Sequence, residues 1–319
     1  MIMKLFHLDL NDARQAAMPP CVATIGFFDG VHRGHRYLID GVKARAKAVA
    51  GMQSAVITFD SHPRLVLHKD YRPRLLNTAA EKVERLSMTG VDCCVVLHFD
   101  AGMASLSARE FMQTVLRDRL NVRTLVIGYD NRFGRNRSEG FDDYVGYGRE
   151  MGIDVVHADA FTLNGVQVSS SVIRSFLSEG EVRMGAMCLG YEYRLTGRVV
   201  SGYHEGRRMG FPTANIVPSD SLKLVPRAGV YAVRVALEGG SQPLGGMMNI
   251  GTRPTFDGTE TTLEVNIFGF SGDLYGRTLT VMFVDKLRDE RKFPSVKRLM
   301  EQLEEDRREA EKAILNVKR

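Results

Sequence analysis

Apolar positions follow two rhythms along this chain, and the rhythm changes near residue 187. Before that point, short, largely apolar runs at 22–28, 55–60, 93–99, 124–129 and 154–158 predict strands. Between them, apolar residues recur at three- and four-residue spacing and predict helices over 35–50, 79–88, 108–120 and 144–151. Two further short helices are expected between 170 and 183, broken at Gly180. Buried strands alternating with helices imply βαβ units and a doubly wound parallel sheet. From Tyr193 the texture becomes short alternating runs at 194–200, 230–237, 245–250, 262–268 and 278–284, parted by glycine- and proline-containing turns. That pattern predicts an antiparallel barrel or sandwich. A last helix is expected over 295–317, with Val296, Leu299, Met300, Leu303, Ala310, Ala313 and Ile314 forming one apolar stripe suited to covering a barrel. The expected domains are therefore 1–187 and 188–319.

Composition narrows the class without choosing a function. The 319 residues are 44% hydrophobic and 25% charged, enough for two globular domains. A net charge of +5 suits small anions as well as nucleic acid. No apolar span is long enough to predict a transmembrane helix, and the amino terminus lacks the features of a signal peptide. Cys21, Cys93, Cys94 and Cys188 have no zinc-ligand spacing and read as reduced core residues of a cytoplasmic protein.

The most informative chemistry lies in A-T-I-G-F-F-D-G-V-H-R-G-H, residues 23–35. It reads as a central strand, a tight turn and a helix beginning near His35. His32 and His35, three residues apart at a helix start, can face one point, where free backbone N–H groups favour an anion. Gly26, Gly30 and Gly34 would let a bulky anion approach closely, with Phe27 and Phe28 in the same turn. No Ser or Cys stands beside either histidine as a nucleophile, so the turn favours phosphate chemistry, against the alternatives of a metal pair or two surface histidines.

Three more loops fall at carboxyl ends of predicted strands, where open α/β sheets bind ligands. They are F-D-S-H-P-R (59–64), G-Y-D-N-R-F-G-R-N-R (128–137) and V-S-S-S-V-I-R (168–174). The second offers Asp130 and Arg132 with Arg135 and Arg137. The third offers Ser169, Ser170, Ser171 and Arg174 to a phosphate chain, although one serine is equally suited to capping a helix. In the second half, G-R-R-M-G-F-P-T-A-N-I gathers Gly206, Arg207, Gly210, Thr213 and Asn215. Pro212 fixes an extended segment, so Thr213 and Asn215 project to one face as hard oxygen ligands suited to Mg²⁺. Glu264 alternates with the apolar face of its strand. It is either solvated on a barrel exterior or the base beside the Thr213/Asn215 site.

These motifs together resemble the bacterial bifunctional riboflavin kinase/FAD synthetase family across essentially the whole chain. G-F-F-D-G-V-H-R-G-H is similar to its adenylyltransferase signature, and G-R-R-M-G-F-P-T-A-N to its riboflavin kinase signature. M-N-I-G-T-R-P-T-F, L-E-V-N-I-F and L-R-D-E-R-K-F add support. Ser61, Asn131 and Ser171 depart from the usual Pro, Phe and Thr. The resemblance implies a nucleotidyltransferase-like α/β domain and a kinase barrel. In the barrel, ATP would phosphorylate riboflavin to FMN, with Glu264 as the catalytic glutamate, Thr213 and Asn215 on Mg-ATP, Arg207 in a phosphate flap, and Arg288 and Phe293 near the flavin. In the first domain, FMN and a second ATP would give FAD and pyrophosphate, with His32 and His35 steadying the phosphoryl groups. The expected partners are small molecules only, with neither nucleic acid nor membrane, and the expected state is a monomer or weak homo-oligomer. Competing expectations are a kinase with a non-catalytic first domain, a non-catalytic flavin sensor, and a transfer-RNA-charging enzyme.

Overall fold

The computed structural model describes residues 2–12, 18–67, 70–201, 210–240, 242–255 and 258–316. Contacts divide the chain into two compact units, Met1–Ser170 and Ser171–Arg319.

The first unit is built on a parallel sheet of β1 (Lys4–Leu8), β2 (Cys21–Ile25), β3 (Gln53–Phe59), β4 (Cys93–Leu97), β5 (Val122–Ile127) and β6 (Asp154–His157), in the order β1-β4-β3-β2-β5-β6. Every residue of β2 and β4 is buried, which is why they read as unbroken apolar runs. β1 was not expected. It is an edge strand with only Leu8 buried, so K-L-F-H-L shows no such run. The covering helices are α1 (Arg33–Lys47), α2 (Pro63–Leu67), α3 (Ala79–Ser87), α4 (Ala101–Ser105), α5 (Ala108–Phe111) and α6 (Phe141–Met151). The helix expected over 108–120 is α5 continued by a π-helical run, Met112–Arg117. The chain lays β3 and β4 on one side of β2, then returns to its other side with β5 and β6. The β2/β5 boundary is thus the switch point of the sheet, where loops diverge and leave a crevice. A hairpin, β7 (Thr162–Leu163) and β8 (Val166–Gln167), precedes α7 (Ser170–Glu179).

The second unit contains a closed antiparallel barrel, not a sandwich. Its strands are β9 (Arg194–Val200), β10 (Ala214–Pro218), β11 (Gly229–Leu237), β12 (Leu244–Thr255), β13 (Gly258–Ile267) and β14 (Thr278–Arg288), ordered β10-β13-β12-β11-β14-β9. Pairing of β9 with β10 closes the ring. Tyr231, Val233, Met248, Ile250, Val265 and Phe283 are fully buried and fill it. The last helix, α9 (Val296–Asn316), lies across β11, β12 and β14. Leu303, Ala310, Ala313 and Ile314 of the expected stripe pack there with Phe211 and Met247. Val296 and Met300 do not, being 62% and 41% exposed. α7 and α8 (Val182–Leu189) sit with the barrel. The Leu177 carbonyl accepts the Arg227 N–H at 3.1 Å, and a Cβ on Gly180 (φ +88°) would lie 2.9 Å from Lys286.

Candidate functional site

The turn after β2 is strained. Phe28 and Val31 adopt φ of 55° and 36° and Gly30 adopts 86°, although Val31 is β-branched and fully buried. Its neighbours hold it in place. The Asp29 carboxylate accepts the backbone N–H groups of Leu76 and Asn77 at 2.9 and 3.0 Å, and the Ser170 hydroxyl donates to the Asp29 carbonyl at 2.8 Å. The helix starts at Arg33, earlier than expected, because His32 is its N-cap. His32 Nδ1 accepts the His35 N–H at 3.2 Å, the role usually filled by Ser or Asp. That bond places the proton of a neutral His32 ring on Nε2. The two imidazoles stack with centroids 3.6 Å apart, and His35 meets Phe28 edge-on at 5.0 Å. A Cβ on Gly34 would press on the His32 ring at 3.1 Å and on the Val168 carbonyl at 3.0 Å, so this position needs glycine. Burial, then His32, then Lys82 hold His35 well below the usual imidazole range, and its buried Nδ1 has no partner among the described residues.

Beside this turn, at the switch point, lies a cavity of about 570 Å³. Phe27, Phe59, Phe99, Phe111 and Phe133 give it aromatic walls, and Arg64, Arg132 and Arg137 supply charge. Phe133 stacks on Tyr144 at 4.3 Å, whose hydroxyl lies 3.1 Å from the carbonyls of both Phe133 and Glu139. Asn131, also in the lining, donates its amide to the Ile25 carbonyl and ties the β5 loop to the end of β2. Ser61 hydrogen-bonds to Asp60, which also pairs with His98 at 2.6 Å.

On the barrel, Glu264 of β13 lies opposite Asn215 of β10 on one side and Asn249 of β12 on the other. Three polar residues therefore share one row on the outer face, with Glu264 half-buried. Asn266, on the same face, donates to the Pro212 carbonyl at 2.7 Å and fixes the segment entering Thr213. Thr213 borders a cavity of about 80 Å³, with Phe270 and Tyr275 also in its lining.

Residues 14–172 match the family model of FAD synthetase, and residues 189–314 that of riboflavin kinase. A bifunctional riboflavin kinase/FMN adenylyltransferase of Escherichia coli strain K12 is 37% identical over 304 residues, covering 95% of this chain and 96% of the relative. The Bacillus subtilis strain 168 protein of the same name is 35% identical over 306 residues, covering 93% and 94%. The chain belongs to the bifunctional riboflavin kinase/FMN adenylyltransferase family. A solved structure described as a macrolide-efflux protein from Streptococcus pneumoniae matches with a TM-score of 0.85 at 31% identity, over 95% of this chain and 98% of that one. Among the described residues no helix is long and apolar enough to cross a membrane.

Within the FAD synthetase half, the structure gathers Gly26, Phe27, His32, His35, Arg132 and Ser170 around the switch point. Phe28, with its unusual backbone, is 3% exposed. Asp130 is exposed and outside the cavity lining, while Ser169 is half-buried before α7. Ser171 and Arg174 continue α7 into the second unit. Within the riboflavin kinase half, Gly206 and Arg207 lie outside the described residues, and Gly210 adopts φ of 80°. Arg288 makes a two-pronged pair with the fully buried Asp306 at 2.8 and 2.9 Å and lies 5.5 Å from the Phe293 ring. Sequence reasoning missed Asn249, whose place beside Glu264 depends on strand register. It also missed Lys82, which lies within the helix expected over 79–88.

Proposed function

We propose that the two reactions of this bifunctional enzyme run through the clusters described above, divided functionally at 187/188. In the barrel, the ribityl 5′-hydroxyl of riboflavin attacks the γ-phosphorus of ATP. Glu264 accepts the hydroxyl proton, ADP leaves and FMN remains. Thr213 and Asn215 offer hydroxyl and amide oxygens, a donor set that fits Mg²⁺ with phosphates and water. Bound there, the ion would neutralise charge on the triphosphate. Gly206, Arg207 and Gly210 contact the phosphates, and Arg288 and Phe293 are near the flavin side.

In the α/β domain, an FMN phosphate oxygen attacks the α-phosphorus of a second ATP. The bond to the β-phosphate breaks, and FAD and pyrophosphate result. The planar isoalloxazine suits the aromatic cavity, with arginines at hand for the phosphate. His32 donates from Nε2, and His35 acts as a neutral ring. Ser169, Ser170, Ser171 and Arg174, with Asp130 and Arg132, hold the nucleotide. We place the enzyme in the cytoplasm, where its four buried cysteines stay reduced, as a monomer or weak homo-oligomer without nucleic-acid or membrane partners.

The observation that carries this reading is the position of the aromatic cavity beside the His32–His35 stack at the sheet's switch point. Purified protein given FMN, ATP and Mg²⁺ without riboflavin should release pyrophosphate and form FAD. Retention of FMN without turnover would favour a non-catalytic first domain.

A further inference from the structure

Lys82 is 3% exposed, which is rare for lysine unless its charge is paired. Helix α3 delivers it from a capping box in which Thr78 and Glu81 exchange backbone and side-chain hydrogen bonds at 3.2 and 3.0 Å. The Lys82 ammonium donates to the Phe59 carbonyl at 2.7 Å, at the end of β3, and stands 4.0 Å from the centroid of the Phe27 ring. Both partners are neutral. Phe27 and Phe59 line the 570 Å³ cavity, whereas Lys82 is behind that lining.

The charged and titratable groups that act on it come from four elements: Asp29 after β2, Asp60 after β3, Cys94 of β4 and His35 of α1. None takes the ammonium as a direct partner.

We propose that Lys82 is a positioning residue of FMN adenylyl transfer: its ammonium ties Phe27 to the end of β3, setting the cavity wall, and keeps a positive charge behind the turn where the phosphates react. The inference rests on the adenylyltransferase site proposed above. A charge already neutralised by a carboxylate could not serve an incoming anion, and partners that are a carbonyl and a ring face leave it available. Burial lowers the Lys82 pKa to about 8, so the charge is present at neutral pH and lost in mild alkali. Burial pushes Cys94 up to about 12, and His35 is held well below its usual range, so neither titrates in that window.

The test is the pH profile of kcat/KM for FAD formation from FMN and ATP in the full-length protein, from roughly pH 6 to pH 10, with riboflavin phosphorylation as reference. Wild-type protein should show an alkaline fall in FAD formation near pH 8 that the kinase reaction lacks. Lys82→Met should lower kcat/KM on the order of 10- to 100-fold and remove that limb. Lys82→Arg, whose guanidinium stays charged, should move the limb upward. A Lys82→Met enzyme with wild-type kcat/KM, or a wild-type limb unmoved in Lys82→Arg, would overturn the proposal. If Lys82→Met fails to fold, the Lys82→Arg profile decides. Wild-type FAD formation tests the site itself, so failure of the site and failure of the Lys82 proposal are distinguishable.

Discussion

Asn215 and Glu264 face one another across the β10–β13 pair, in register, on the outer face of the barrel. This relationship joins the F-P-T-A-N segment to a carboxylate 49 residues away in sequence. Replacing Glu264 by Gln keeps the shape and removes the carboxylate. Riboflavin phosphorylation should fall roughly 100-fold or more, while FAD formation from supplied FMN persists. Separate assays of ADP and FAD release check this.

His32 is the N-cap of α1 as well as a proposed phosphate contact. His32→Ala should abolish FAD formation and also cost about 1 kcal/mol through the lost cap. His32→Asn should restore the cap without restoring activity. Thermal denaturation read beside the FAD assay separates the two roles, and the riboflavin kinase rate should be unchanged in both variants.

His35 makes the first domain sensitive to acid. Its folded-state pKa lies well below the usual value, so below roughly pH 6.5 the unfolded chain takes up a proton that the folded ring refuses. The stabilisation is complete above that pH and is lost as pH falls toward the folded value. The melting temperature of the first domain should therefore drop between roughly pH 7 and 5, and drop less in His35→Phe.

The Asn131 amide holds the β5 loop to the Ile25 carbonyl. Asn131→Leu should raise KM for FMN in adenylyl transfer several-fold, roughly 1 kcal/mol for one lost hydrogen bond, with the kinase constants unchanged. Steady-state kinetics with FMN as the varied substrate measures it.

Arg288 pairs with an Asp306 that has no exposure to water. Arg288→Met would leave that carboxylate with only the Gln302 amide and no cation, and should destabilise the barrel by about 3 kcal/mol. Arg288→Met combined with Asp306→Leu should recover much of the loss, as read by denaturant unfolding.

Much of this architecture is legible in the sequence because its strands are buried in two distinct ways. Strands β2 to β5, covered on both faces, announce themselves as apolar runs, and the barrel strands as alternation. β1 escapes because K-L-F-H-L mixes polar with apolar residues and buries only Leu8. Asp306 escapes because it occupies the apolar stripe of α9 between Leu303 and Ala310, and its partners Arg288 and Gln302 explain it. Loop motifs could be read as phosphate-binding chemistry, since glycines and histidines at fixed spacing have few other uses. Register could not: Asn249 joins Glu264 only once β12 and β13 are aligned. Lys82 carries no pattern of its own, because its burial comes from Phe27 and Phe59, far from it in sequence.

The most direct measurement of two separate reaction sites is complementation in one tube. Equimolar His32→Ala and Glu264→Gln proteins, each unable to carry riboflavin through to FAD, are mixed with riboflavin, ATP and Mg²⁺, and the flavins are resolved by chromatography. FAD should accumulate after a lag in which free FMN builds up. If the mixture makes FMN but no FAD while wild-type protein makes both, the two reactions do not occupy independent sites.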